Sequence, residues 1–313
     1  MIQDLTEKAP ISEYALLLLL AALWGGAFTL IEVALGSFEP MTIVSTRVMI
    51  GGAILVAIAA LRGDAFPKTS KRWGELAVQG VLQGGLPFYL ITWAEIHIDS
   101  SVAGVINSTP PMFVFLITVF LLRTEKFDTM KFAGILFCMT GVGVIAIARW
   151  SGGGDTSSSL ALLAVLAASC SYAMGAIYGR RFGQQSVFVT GGVSLLLAGL
   201  IVTPAALAFE SPFSVSPELA PTLALLALAL FSTALASLIF FRLLKTIGSL
   251  ATTSNAYLRA LFSMLLGSVF LGEDMGLPIL AATLCIFMGV FLVTGQFRRI
   301  LYNRLRAKAS QNA

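Results

Sequence analysis

Long apolar runs separated by short polar segments fill almost the whole of this chain of 313 residues. Most runs approach the roughly 20 residues that an α-helix needs to cross a bilayer. They are continuous, whereas the strands of a membrane barrel alternate apolar and polar residues over about ten positions. The pattern therefore predicts an all-α membrane protein with ten spanning helices, at 14–35, 41–61, 73–94, 101–122, 130–148, 159–178, 188–207, 219–241, 249–271 and 278–296.

Composition excludes a soluble globular protein. The chain is 57% hydrophobic and 12% charged, with a mean hydropathy of +0.90, whereas soluble domains use roughly 25% charged residues. Too few polar side chains remain to cover a soluble surface of this size. The first apolar run is also longer than the core of a cleaved signal peptide, so we expect it to stay in the mature protein.

The distribution of positive charge predicts the orientation of the spans. Seventeen of the 20 Lys and Arg residues fall on the side of the N-terminus, Arg149 lies on the other side, and Arg47 and Arg259 lie within spans. Cytoplasmic loops of membrane proteins carry an excess of Lys and Arg. Both termini are therefore predicted to be cytoplasmic, and the net charge of +4 requires no nucleic-acid partner.

The two halves of the sequence resemble each other. A shift of 148 positions superimposes the first five spans on the second five, and it aligns Ser101 with Ser249, Asn107 with Asn255, Glu125 with Glu273, Gly141 with Gly289, and Trp24 with Tyr172. Each half has an odd number of predicted helices, so the second half enters the membrane from the opposite face. Inverted repeats are typical of secondary transporters, which expose a central site to each side in turn. Duplication for stability alone is the alternative.

The chain is accordingly divided into five parts. A cytoplasmic segment, 1–13, precedes the first five-helix repeat, 14–148. A Gly- and Ser-rich extracytoplasmic linker, 149–158, leads to the second repeat, 159–296, and a basic cytoplasmic tail, 297–313, follows. One chain already contains the inverted pair, so a monomer is expected to suffice, with a dimer as the alternative.

A family resemblance covers nearly the whole chain. Its residues are Trp24, Gly25, Gly26 and Phe28, Pro40 followed by Arg47, and the blocks from Glu125 to Gly141 and from Glu273 to Gly289. With these, the chain resembles the drug/metabolite transporter superfamily, its ten-helix EamA-type exporters and, among them, the YddG-type aromatic amino-acid exporters. The resemblance implies a bacterial inner-membrane exporter of amino acids, preferably aromatic or bulky apolar ones. It also implies alternating access through a cavity lined by helices 1, 3, 4, 6, 8 and 9.

One residue departs from the family pattern. Members often carry proline in the middle of the fourth and ninth helices, but here Arg259 occupies the position that matches Pro111. A charge at the bilayer centre costs at least about 2.5 kcal/mol, so Arg259 should face a cavity or a partner. It shares a helical face with Asn255 and Ser263. We predict that it binds a substrate carboxylate; the alternative is a structural cation that pairs with carbonyls freed by Pro110 and Pro111.

Aromatic and amide side chains are further candidates for substrate contacts. Aromatic rings offer flat surfaces to an apolar substrate, and Gly84, Gly85 and Pro87 interrupt helix 3 as breaks do at transporter sites. The candidates are Trp24, Phe28, Gln79, Gln83, Trp93, Asn107, Tyr172, Asn255, Tyr257 and Ser263. Core packing is the alternative for the aromatic residues and helix 3, and an interhelical hydrogen bond is the alternative for the asparagines.

Several acidic residues are predicted to make structural contacts. Glu32 and Arg47 are expected to form an ion pair, with an extracytoplasmic gate as the alternative. Glu125 and Glu273 follow helices 4 and 9 and are expected to cap helix ends. Because no predicted span carries a carboxylate near its middle, facilitated diffusion or exchange stands beside proton antiport as the transport mechanism.

Other functions are weighed against amino-acid export. The first is a multidrug carrier, or a carrier of nucleosides or nucleotide sugars, of the same fold. An intramembrane enzyme is more remote, because it needs a catalytic set at membrane depth, and the chain has one histidine and no Asp within a predicted span. We therefore expect no catalytic residue, cofactor or metal, and the expected partners are a small molecule and the lipid bilayer.

Overall fold

The computed structural model describes residues 11–151, 156–212, 218–247, 252, 255–274 and 276–293, and leaves the side chains of residues 11, 149–151 and 257 outside the described part. Regular structure in this part is helical throughout. The helices are α1 (Ile11–Leu35), α2 (Pro40–Leu61), α3 (Ser70–Gly80, Val81–Gly85 and Leu86–Ala94), α4 (Ser100–Ile106, Pro110–Leu116 and Ile117–Leu121), α5 (Thr129–Ser151), α6 (Thr156–Gly179), α7 (Val187–Phe209), α8 (Leu219–Ala227, Leu228–Leu235 and Ala236–Thr246), α9 (Asn255–Leu271) and α10 (Leu277–Val293).

Each predicted span coincides with one of these helices wherever the chain is described. Seven of them, α1, α2 and α4 to α8, are long and apolar enough to cross a membrane. The first half of α3 carries charged and amide side chains, and the apolar parts described in α9 and α10 are shorter, Leu258–Leu271 and Leu277–Val293. Residues 1–10, 152–155 and 297–313, which belong to the predicted terminal segments and linker, lie outside the described part.

The two halves interlock. α2 packs along α7 and α5 along α10, so the second and fifth helices of each half pair with their counterparts. α1 packs on α8 and α9, and α6 packs on α3 and α4. The first helix of each half therefore contacts the third and fourth helices of the other half, as inverted repeats related by a twofold axis require.

The pairing of α5 with α10 shows this symmetry at single residues. Gly141 of α5 packs on Ile286 of α10, and Gly289 of α10 packs on Cys138 of α5. The shift of 148 positions also aligns Cys138 with Ile286. Because glycine has no side chain, the two helix backbones approach closely at both crossings.

α3 and α8 contain π-helical turns at matching positions. The turn in α3 is Val81–Gly85, and the shift of 148 positions places it within the turn Leu228–Leu235 of α8. The predicted interruption of helix 3 by Gly84, Gly85 and Pro87 is thus a local widening, through which the helix continues. π-turns within α-helices are frequent at functional sites.

Pro87 leaves one carbonyl of this turn without a donor in α3. The Leu86 N–H pairs with the Val81 carbonyl across the turn, and the next residue, Pro87, has no N–H to offer. The freed carbonyl of Leu82 accepts a hydrogen bond from Ser171 Oγ of α6, at 2.9 Å. A side chain of the second half therefore completes the backbone pairing of the first half.

α4 is broken in its middle, whereas the described part of α9 is helical from Asn255 onward. Residues 107–109 form a turn between the two α-helical segments of α4, and Pro110 begins the second segment. Proline is tolerated there because the first turn of a helix has no intrahelical partner for its N–H groups. In α9, Asn255–Leu271 runs through the position that matches Pro111, which is Arg259.

Glu273 joins α9 to the start of α4. Its carboxylate accepts hydrogen bonds from the backbone nitrogens of Ser100 and Ser101, both at 2.9 Å. A negative charge at a helix N-terminus stabilises the helix by roughly 0.3–1 kcal/mol. The predicted capping role is therefore confirmed for Glu273, whereas Glu125 forms an ion pair with Lys131, at 3.1 Å.

The α5–α10 crossing can be tested with two alanine substitutions on one helix. A methyl group added at Gly141 would lie 2.6 Å from Ile286 Cγ1, whereas nothing lies within 4 Å of one added at Gly143. We expect Gly141→Ala to lower the stability by about 1–3 kcal/mol through overpacking. Gly143→Ala should leave the stability unchanged or raise it slightly, because alanine favours a helix more than glycine does. Thermal unfolding of the purified variants in detergent measures the difference, and equal Tm values would contradict the close crossing.

Candidate functional site

Arg259 lies where helices of both halves meet. The residue is 5% exposed, and its guanidinium carbon lies 5.8 Å from the ring centroid of Trp24 in α1 and 6.0 Å from that of Tyr172 in α6. A cation within about 6 Å of an aromatic ring is attracted to its face. Trp24 and Tyr172 are the pair that the repeat aligns. Arg259, the residue that departs from the family pattern, therefore lies between two aromatic residues at matching positions of the repeats.

Arg259 also completes the backbone of α4. Its Nη2 donates a hydrogen bond to the carbonyl oxygen of Asn107. In a continuous helix this oxygen would accept from the N–H of residue 111, which here is Pro111 and has none. Hydrogen bonds to charged groups contribute roughly 1.5–3 kcal/mol. The structural contact that the sequence left as the alternative for Arg259 is therefore present.

One donor of Arg259 is left over. The Nε atom is buried and has no hydrogen-bond partner among the described residues. A guanidinium presents five N–H donors in a planar fork that matches a carboxylate. The contact with Asn107 thus leaves part of this fork able to bind another acceptor.

Gly25 allows α1 to approach α9 at this point. A methyl group added there would lie 2.7 Å from the carbonyl oxygen of Arg259. The backbones of the two helices therefore touch beside the guanidinium, and the position of Trp24 relative to Arg259 is fixed by this crossing.

A second buried arginine borders the same region. Arg47 of α2 is 2% exposed. Its Nε donates to Thr233 Oγ1 of α8 at 3.0 Å, and its guanidinium carbon lies 4.0 Å from the ring centroid of Phe88 in α3. Two cationic groups, one from each half, therefore lie near the centre of the bundle.

Two small cavities adjoin Arg259, with volumes of about 20 and 30 Å³. Trp24, Tyr172 and Arg259 line both of them. The first is also lined by Ala27, Phe28, Ile31, Arg47, Phe88, Ile91 and Asn107, and the second by Gln83, Pro110, Ala176, Phe240, Asn255 and Ala256. Each has room for about one or two water molecules, whereas ligand pockets usually measure roughly 300–1,000 Å³. The site is thus closed in this conformation.

A larger cavity, of about 460 Å³, lies between the α6–α7 turn and the end of α8. It includes Arg180, Gln184 and Lys245. None of the predicted substrate contacts lines it, so size alone does not identify the candidate site.

The two central cavities bring together seven of the predicted substrate contacts: Trp24, Phe28, Gln83, Asn107, Tyr172, Asn255 and Arg259. Three others lie elsewhere. Gln79 is fully buried against α6, Trp93 packs edge-on against His97 with ring centroids 4.9 Å apart, and Ser263 donates to the carbonyl of Ser100 at 3.1 Å. The side chain of Tyr257 lies outside the described part.

The two repeat-related asparagines have different partners. The Oδ1 atom of Asn107 accepts a hydrogen bond from Ser169 Oγ of α6 at 3.2 Å. The Nδ2 atom of Asn255 donates to the carbonyl of Thr252 at 2.8 Å. An interhelical bond is thus present for Asn107, whereas the bond of Asn255 is local.

The predicted ion pair between Glu32 and Arg47 requires correction. No salt bridge joins them in the described structure, because Arg47 points toward Phe88 and Thr233. The Oε2 atom of Glu32 is buried and has no hydrogen-bond partner in the described part. The gate role of the two residues remains a prediction.

Sequence reasoning missed three residues that surround the two arginines. Phe88 and Thr233 hold Arg47, and Phe240 packs on Trp24 with ring centroids 5.3 Å apart. Thr233 and Phe240 belong to α8. The family resemblance implied that helix 8 lines the cavity, and this was the signal that could have identified them.

Comparison with known proteins matches both halves. A model of the EamA-like transporter family matches residues 11–147 and, a second time, residues 159–295. The two matched segments correspond to the two repeats and together cover most of the chain.

Individual proteins are similar over nearly their full length. YedA of Escherichia coli K12, an uncharacterized inner membrane transporter, is 25% identical over 287 residues, which is 91% of each chain. YvbV of Bacillus subtilis, an uncharacterized transporter, is 28% identical and covers 92% of this chain and 93% of its own. A crystal structure with 22% identity superimposes with a TM-score of 0.66 over 93% of this chain and 99% of the other. This last likeness concerns the fold alone.

The link between Arg259 and Pro111 can be tested by a double-mutant cycle. Pro111→Ala restores an N–H that can pair with the Asn107 carbonyl, so Arg259→Met should cost less stability in that background than in the native chain. We expect a coupling of about 1 kcal/mol or more, as for residues that share one hydrogen-bond network. Thermal unfolding of the four proteins measures it. Additive effects of the two substitutions would show that Arg259 does not replace the missing donor.

Proposed function

The chain belongs to the EamA-like transporter family, and on this premise we propose that it exports amino acids, preferably aromatic or bulky apolar ones, by alternating access through the space around Arg259. Membrane transport follows from the family itself. The amino-acid substrate and the export direction are what we propose beyond the family's general function. The name of YedA, an inner membrane transporter, supports the inner membrane as the location.

The observation that carries the proposal is a buried guanidinium between two aromatic faces. Arg259 keeps an unpaired Nε, which suits the carboxylate of an amino acid. Trp24 and Tyr172 offer flat surfaces to an aromatic side chain, and Phe28 and Phe88 extend the apolar lining. The positive charges of Arg259 and Arg47 also oppose a lipophilic cation, which argues against that class of multidrug substrate.

Alternating access accounts for the closed site. Cavities of about 20 and 30 Å³ are too small for an amino acid, so the helices around Arg259 have to separate before a substrate enters. The break at 107–109 in α4 and the π-turns Val81–Gly85 in α3 and Leu228–Leu235 in α8 offer hinges. All three lie in helices that contact the first helix of the opposite half.

A second candidate is an anionic metabolite. Both Arg47 and Arg259 line the smaller cavity, and in the described part neither forms a salt bridge. Two cations in one cavity favour a ligand with more than one negative charge, such as an organic phosphate.

For the topology we propose ten spans with both termini in the cytoplasm. The interlocked halves support it, because α1 and α6 take equivalent places only if the repeats run in opposite directions across the membrane. The asymmetry of Lys and Arg sets the direction.

The topology can be tested with reporter fusions. Green fluorescent protein at the C-terminus should fluoresce, and alkaline phosphatase fused within the linker 149–158 should be active, because the two reporters work on opposite sides of the inner membrane. Phosphatase activity at the C-terminus would contradict the proposed orientation.

The substrate can be tested in proteoliposomes with labelled amino acids, organic phosphates and lipophilic cations. We expect uptake of aromatic amino acids, and at least about a tenfold loss of rate in Arg259→Met, since a charge-assisted hydrogen bond contributes roughly 1.5–3 kcal/mol. Arg259→Lys keeps the charge without the planar fork, so its transport rate should lie between those of the native protein and Arg259→Met. Arg62→Met, whose side chain is 59% exposed in the native chain, is the matched control.

The outcomes separate the candidates. A folded Arg259→Met variant with the native rate would contradict the role of Arg259 in binding. Transport of organic phosphates alone would favour the second candidate, and transport of lipophilic cations alone would contradict both.

A further inference from the structure

The connection between α3 and α4 buries a carboxylate. Glu95 directly follows Ala94, the last residue of α3, and is 4% exposed. Neither of its carboxylate oxygens has a hydrogen-bond partner among the described residues. The buried carboxyl therefore needs an explanation, because an ionised carboxylate without partners is costly in an apolar environment.

Charged groups from three other elements surround Glu95. They are Glu32 of α1, Glu273 of the α9–α10 connection and Arg47 of α2. Asp99 of the α3–α4 connection lies near Glu32, and His97 of the same connection packs edge-on against Trp93. Glu273 is already engaged at the start of α4. Three carboxylates thus share a region in which Arg47 is the neighbouring cation.

This environment favours the neutral form of Glu95. Burial, and then the charges of Glu32 and Glu273, raise the pKa of the Glu95 carboxyl well above its ordinary value, and Arg47 offsets only part of this effect. An exposed glutamate, by contrast, titrates near pKa 4.3, as roughly expected for a model peptide. The same side chain therefore binds a proton far more tightly when this end of the bundle is closed than when it is open to water.

We propose that Glu95 is a proton-binding site that couples closure of this end of the transporter to proton uptake. The inference rests on alternating access, which is part of the proposed function. When the end closes around Glu95, a proton from water is taken up by the carboxylate; when it opens, the proton returns to water. The proposed topology places this end outside the cytoplasm.

The sign of the pH dependence follows from linkage. The pKa of Glu95 is raised in the closed state, so closure is favoured at low pH and is lost as the pH rises through the raised value. Between the pKa values of the open and closed states, the ratio of open to closed molecules should rise up to about tenfold per pH unit. Glutamine at this position binds no proton, so in Glu95→Gln the contribution of residue 95 to the pH dependence of the ratio should be absent.

Opening can be measured without transport. Ile98 is 3% exposed and lies in the same connection, so an Ile98→Cys substitution, in a chain whose three native cysteines are replaced by alanine, reports access to this end. The rate of labelling by a membrane-impermeant thiol reagent is measured from pH 5 to 8, a range of about three units. Dividing it by the rate in the Glu95→Gln background cancels the pH dependence of the thiol itself. Glu39→Gln is the matched control, because Glu39 is an exposed carboxylate before α2 at the same end.

We expect the labelling rate, divided by the rate in the Glu95→Gln background, to rise with pH in the native and Glu39→Gln backgrounds. The labelling rate in Glu95→Gln itself should be low at every pH. His97→Asn should leave the rise unchanged. A flat ratio would overturn the proposal, and so would a rise that disappears in His97→Asn.

Infrared titration provides a second measurement that does not depend on the new cysteine. The band of a protonated carboxyl should persist to higher pH in the native protein than in Glu95→Gln, and identical bands would overturn the proposal. Proteoliposomes that transport none of the tested amino acids would count against the proposed function, whereas the labelling and infrared results would still decide the role of Glu95.

Discussion

Backbone carbonyl groups that proline leaves unpaired govern how the two halves fit together. In a bilayer no water is available to such groups, so each must find a donor within the protein. Pro87 frees the carbonyl of Leu82, and Pro111 frees that of Asn107. Both carbonyls accept from the second half, through Ser171 and Arg259 respectively. The prolines of the first half therefore make its backbone dependent on the second half, and the contacts converge on the helices that surround the central cavities.

Arg259 can combine its structural contact with the proposed binding role, because the fold does not use all of its donors. One edge of the guanidinium replaces a missing backbone donor, and its faces lie near two aromatic rings. These contacts compensate for burial without a carboxylate from the described residues. A structural cation and a binding cation are thus compatible descriptions of the same side chain. The proposed substrate would accept hydrogen bonds from the guanidinium donors that the helices leave unpaired.

Much of the fold is readable from the sequence because hydropathy and repeat spacing are local properties. The spans and the alignment of Trp24 with Tyr172 follow from them. The direction in which an individual side chain points cannot be predicted in this way, because it depends on how each helix is rotated against neighbours that lie far along the chain. Arg47 therefore contacts Thr233 rather than Glu32, and Gln79 packs against α6. The burial of Glu95 was missed for a related reason, since a polar residue after a span is usually solvated, and here other elements cover it.

The π-turns in α3 and α8 bear on the history of the chain. They occupy matching positions in the two repeats, yet the residue that matches Pro87 in the second half is Leu235. Proline is therefore not required for the widened turn. A feature shared by both halves despite different local residues is explained most simply by inheritance from a single five-helix ancestor, in which the turn was already present before the gene was duplicated. Such an ancestor would have worked as an antiparallel pair of identical chains, and Arg259, which departs from the family pattern, would have appeared only after each half was free to specialise.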